Sequence, residues 1–161
     1  LLETPVSGVD RAAALEASLA IAADRAGDLT PLVYARLFAA QPAMEAEFWR
    51  DRSGAIRGEM LARVFEVLLD LAGPRAYADQ LIGTEYITHD SYGIPRPVFG
   101  TFFRTVADTV RAVAGPDWSP AMDAAWAALL AEVDAILAAI AEPDAASGLP
   151  GQNSDAALPS S

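Results

Sequence analysis

The chain contains no cysteine and no lysine, and it has one histidine in 161 residues. Without cysteine there are no disulfides, no thiolate metal sites and no cysteine nucleophiles. All 11 basic residues are arginine, against 22 acidic ones, giving a net charge of −11. That balance disfavours nucleic acid and anionic membrane as main partners. No uninterrupted apolar run reaches the length of a membrane span, and no signal-peptide pattern opens the chain. A cytoplasmic location is the resulting expectation. One histidine excludes any multi-histidine metal site. Gly-rich phosphate loops, His/Glu metal pairs and nucleophile elbows are also missing, and the scattered carboxylates suggest no acid/base pair.

What is present is helix after helix. Hydrophobic residues make up 53 % of the chain, enough for one domain with a real core. Asp10 can cap a helix over 10–25. Thr30 followed by Pro31 reads as an N-cap with proline at the first helical position, opening a helix that meets Gln41 and Pro42. Pro42 begins a short helical turn ending near Phe48 and Trp49. A polar loop, 50–54, precedes a long helix over 55–72, with Leu61, Val64, Phe65, Leu68 and Leu69 at helical spacing. Gly73-Pro74 stops it. Further helices are predicted over 75–91, 97–114 and, from Ser119-Pro120, 120–141. Alternating strand patterns and internal repeats are absent. Residues 1–9 read as an N-terminal extension, 10–142 as the domain, and 143–161 as a disordered tail poor in large apolar groups.

His89 stands near the end of the 75–91 helix, with Leu81 and Ile82 seven and eight residues earlier on its face. A neutral imidazole on a rigid helix suits a single axial bond to haem iron, with the opposite face of the iron left open. The plain alternative is a surface or satisfied core histidine. The ring nitrogen away from a metal needs an acceptor; the Glu85 carboxylate, one turn earlier, and a backbone carbonyl are the two candidates. Tyr34 lies among apolar neighbours, where its hydroxyl needs a partner, either a bound ligand or a core carbonyl. Arg57 shares a face with Leu61 and Val64, and either reaches a ligand or a haem propionate or snorkels to water. Phe38, Phe48, Phe99, Phe102 and Phe103 provide aromatic mass for a flat apolar pocket or for an ordinary core.

Taken in order, these segments resemble the globin family, in particular bacterial single-domain globins and the globin domain of flavohaemoglobins. The matching stretches are 30–48 with Tyr34, Phe38, Pro42 and Phe48; Arg57 to Leu61; His89-Asp90-Ser91-Tyr92-Gly93-Ile94; Trp118-Ser119-Pro120; and Ala125-Trp126. They cover about residues 10–141, and their order and spacing carry the signal. The resemblance implies an all-α globin fold of six to eight helices packed at steep angles around haem b. It implies that His89 is the proximal iron ligand, that Phe48 wedges against the haem face, and that Tyr34 is the distal donor. Arg57 falls at the distal gate, Leu61 at the apolar position after it, and Phe38, Tyr92, Ile94, Phe99 and Phe103 complete the expected haem-binding set.

The chain departs from the pattern in four places. No histidine stands at the gate, so none can close the sixth iron position. Phe99 replaces the tyrosine of the flavohaemoglobin proximal network, and that network's glutamate falls by count at Pro143, beside Glu142. The loop between Phe48 and Arg57 is shorter than in flavohaemoglobins, leaving a one-residue slip of Arg57 as an alternative register. The chain's length leaves no room for a flavin reductase domain, so turnover would draw electrons from a separate protein. Reversible binding of oxygen, carbon monoxide and nitric oxide is the function implied. Nitric oxide dioxygenation with a separate reductase, and a gas sensor or interaction module, are the rival readings.

Overall fold

A computed structural model describes residues 7–141; the first six residues, and with them most of the N-terminal extension, lie outside it, as does the tail at 143–161. The described residues form six α-helices and two short 3-10 helices, with no strand among them. The helices are α1 (Gly8–Ala26), α2 (Thr30–Ala40), α3 (Ala55–Ala72), α4 (Ala78–Ser91), α5 (Arg96–Ala114) and α6 (Pro120–Ala141). The 3-10 helices are Pro42–Phe48 and Gly115–Asp117.

Three helix starts differ from the sequence expectation, each because another side chain collects the first amides. At α1 the cap is Ser7, not Asp10: its hydroxyl accepts from the Asp10 N–H at 3.3 Å and donates to the Asp10 carboxylate at 2.6 Å. The first helix therefore begins at Gly8, inside the expected extension. At α2, Thr30 is already helical and caps nothing; its own N–H donates to Asp28 Oδ1 at 2.9 Å. At α4 the helix begins at Ala78 rather than 75. Asp70, from α3, accepts the N–H groups of Ala76, Tyr77 and Ala78 at 2.7–3.1 Å, holding the 74–77 turn outside the helix. That turn also places Arg75 at a positive φ of 51°. Ser119 caps α6 as expected, accepting from the Met122 N–H at 3.1 Å.

The core is built where α1 packs on α5, α6 and α3, and α4 packs on α6, α3 and α5. Leu15, Val33, Leu68, Ile82, Val106, Val110 and Leu129 are fully buried in it. Trp126 fills its centre and donates its indole N–H to Ser18 Oγ at 2.9 Å, while the Ser18 hydroxyl donates to the Leu15 carbonyl. This chain of donors satisfies two polar groups that burial would otherwise penalise. Helix α6 is long and apolar enough to cross a membrane, with a mean hydropathy of 1.8 over its most apolar 18-residue window. Charged groups tie it into the bundle instead: Glu132 pairs with Arg11 of α1 and Asp134 with Arg104 of α5. Such charges at mid-helix would each be costly in hydrocarbon.

Candidate functional site

Helices α3, α4 and α5 line a half-open cavity of about 230 Å³, bordered also by Tyr34 and Leu37 of α2 and by the 3-10 helix that carries Met44 and Phe48. Of the residues expected at a haem site, the structure brings Tyr34, Phe48, His89, Ile94, Phe99 and Phe103 together on its wall. Phe102, an aromatic noted in the sequence, lines it too.

His89 projects from the last turn of α4. Its Nδ1 lies 2.7 Å from the main-chain oxygen of Glu85. A carbonyl oxygen can only accept, so Nδ1 carries a proton, and in the neutral ring the lone pair lies on Nε2. The acceptor is thus the backbone. The Glu85 carboxylate is committed elsewhere: Oε1 accepts from Arg63 at 2.5 Å, and Oε2 stands 3.9 Å from His89 Nδ1. Phe99 packs on the imidazole with ring centroids 5.1 Å apart, and Tyr86 and Phe103 pack on Phe99 in turn. The phenyl ring offers shape and no hydrogen bond, so the imidazole is oriented by one carbonyl and by aromatic contact.

Tyr34 borders the cavity from α2. It is 2 % exposed, and its hydroxyl is buried with no hydrogen-bond partner. Burial pushes its phenol well above the ordinary tyrosine range; the nearby Arg57 charge opposes the shift and Asp51 adds to it. The hydroxyl is therefore a protonated donor throughout the physiological range. Its ring lies between Phe38, Phe48 and Phe102 at centroid distances of 5.8, 5.3 and 5.5 Å, which fixes where the hydroxyl goes.

Helix α3 presents a face offset from the one expected, sharing Val64 with it. Ile56, Glu59, Met60, Arg63, Val64 and Val67 line the cavity. Arg57 and Leu61 do not: successive helical residues are about 100° apart around the axis, and these two lie one residue past Ile56 and Met60. Leu61 is buried in the core at 2 % exposure. Arg57 is held by Asp51, whose carboxylate accepts from its N–H at 3.0 Å and its Nε at 3.1 Å, while the Asp51 carbonyl accepts from its terminal nitrogen at 2.9 Å. Phe38 forms an aromatic layer behind the wall, against Tyr34 and Phe48. Tyr92 points to solvent at 78 % exposure. The lining residues that sequence reasoning passed over, Ile56, Met60 and Val67, stand at a helical spacing of their own. The resemblance implies Arg57 and Leu61 there; Leu61 and Leu68 are instead buried in the core.

No group of three histidine, aspartate or glutamate residues is placed to hold a metal ion among the described residues. What the site provides is one imidazole with a free Nε2 lone pair, one orphaned phenolic donor, and an aromatic and aliphatic wall with Glu59, Arg63 and Glu85 among its polar members. The chain is thus an all-α bundle with a histidine-bearing apolar cavity. No family model, no curated protein and no solved structure matches it.

Proposed function

We propose that the protein is a globin-type haem protein that reversibly binds oxygen, and with it carbon monoxide and nitric oxide. The observation that carries this reading is an apolar cavity lined by both Tyr34, whose buried hydroxyl has no hydrogen-bond partner, and His89, whose Nδ1 lies against a main-chain carbonyl. Leaving a buried hydroxyl unsatisfied costs about 1–3 kcal/mol. A ligand able to accept its proton would recover that cost.

The residues present fit haem. When bound, haem would supply an iron able to take one protein ligand and one diatomic gas. The His89 Nε2 lone pair is the donor suited to be that protein ligand. The Glu85 carbonyl holds the ring in that tautomer and makes it more basic. Phe48, Phe99, Phe102 and Phe103 give a flat macrocycle aromatic contact and exclude water. Tyr34 would be the hydrogen-bond donor to a ligand that gains negative charge on binding, which would favour oxygen over carbon monoxide. Titrating the purified protein with haemin should give a stoichiometric Soret band. His89→Ala should lose the ferrous five-coordinate spectrum. A protein that gives no such band is not a haem protein of this kind.

A further inference from the structure

Arg57, expected at the distal gate, does not line the cavity, and its guanidinium is held by Asp51. Asp51 is 6 % exposed. Burial alone would raise its carboxyl, but donors from the Arg57 and Ile56 N–H groups and from the guanidinium outweigh it and hold the group below the usual carboxylate range. Its Oδ1 accepts from Ile56 N–H at 3.2 Å, so one side chain both caps α3 and anchors Arg57. The chain reaches this arrangement through Gly54, whose φ of 78° lets the loop turn against the guanidinium; a Cβ there would sit 3.5 Å from it. At the Tyr34 hydroxyl the Arg57 and Asp51 charges act with opposite sign. The cation on the cavity wall, Arg63, pairs with Glu85 at 2.5 Å.

Resting on the haem reading above, we propose that Asp51 is a specificity-determining residue of this cavity. By cancelling and anchoring the Arg57 charge at the start of α3, next to the cavity-lining Ile56, it makes the ligand position one for neutral diatomic gases rather than small anions such as azide or fluoride. Arg57 is then a positioning residue outside the cavity instead of a gate.

The test is azide and fluoride titration of the ferric, haem-reconstituted protein, followed by absorbance. Asp51→Asn keeps an acceptor for the α3 amides and removes the charge; azide affinity should rise about tenfold, which is about 1.4 kcal/mol. Asp51→Asn/Arg57→Gln, a neutral pair of similar shape, should return it to the wild-type value. Arg57→Gln alone leaves the α3 cap intact and should lower azide affinity, so the proposal remains testable if Asp51→Asn does not fold. Unchanged azide affinity in Arg57→Gln, or a double variant that keeps the increase, overturns the role of Asp51 while leaving the haem reading in place. Absence of a Soret band in the wild-type protein overturns both.

Discussion

His89 Nδ1 donates to the main-chain carbonyl of Glu85, while the carboxylate of that same residue turns to Arg63. One residue thus offers two acceptors, and the neutral one has the proton. A carboxylate acceptor would give the imidazole much of the character of an anion; a carbonyl polarises it only moderately. Glu85→Gln should therefore leave the iron–histidine stretching frequency of the ferrous protein unchanged. A clear fall in that frequency by resonance Raman would show that the carboxylate takes the proton once the cofactor is in place.

Tyr34→Phe should move stability and ligand binding in opposite directions. In the cofactor-free protein the substitution removes an unsatisfied buried hydroxyl without opening a large void, so the melting temperature should rise. In the haem-loaded protein it removes the donor to the bound gas. Oxygen dissociation should then accelerate about 10- to 100-fold, with a smaller change for carbon monoxide. Thermal melts and stopped-flow oxygen displacement read the two effects separately. A lower melting temperature with an unchanged off-rate would mean that the hydroxyl has a core partner and faces no ligand.

Much of the fold was legible in the sequence, because proline, glycine and apolar spacing act locally. Gly73, Gly115 and Pro120 end or begin helices where the pattern put them. What escaped was set by distant or competing contacts. Asp70 delays α4 by reaching from one helix to the next, and no local rule anticipates that. On α3 two apolar stripes run about 100° apart, and the one carrying Met60 and Val67 lines the cavity. At the site, His89 and Tyr34 stood out as chemistry-bearing residues among apolar neighbours. For His89 the sequence left two acceptors open, and the main-chain carbonyl is the one that lies at hydrogen-bond distance.

Acid should weaken the fold through Asp70 and Asp51. Burial favours the neutral form of both, but backbone donors overcome it and hold both carboxyls below the ordinary value of 3.8. A group depressed in the folded state binds fewer protons there than in the unfolded chain. Its stabilisation is fully present above the unfolded value and is lost as pH falls through the lower, folded one. Melting temperature should therefore drop steeply below about pH 4. Asp70→Asn should flatten that decline and lower the melting temperature at neutral pH by about 5 °C, through the loss of a charged cap. An unaltered acid limb in Asp70→Asn would assign the acid sensitivity to other carboxylates.

The α3 rotation gives a paired test within one helix turn. Leu61 is 2 % exposed in the core, and Met60 stands on the cavity wall. Leu61→Ala leaves a void among close-packed neighbours and should cost roughly 2–5 kcal/mol of stability, with little direct effect on a ligand in the cavity. Met60→Ala removes a flexible side chain that already borders open space, so it should cost less. It should instead enlarge the cavity and raise carbon monoxide association, which depends on room around the ligand. Denaturant melts and flash photolysis of the haem-loaded variants separate the two. If Leu61→Ala changes ligand kinetics and Met60→Ala changes only stability, then α3 is turned by one residue, and Arg57 returns to the cavity mouth.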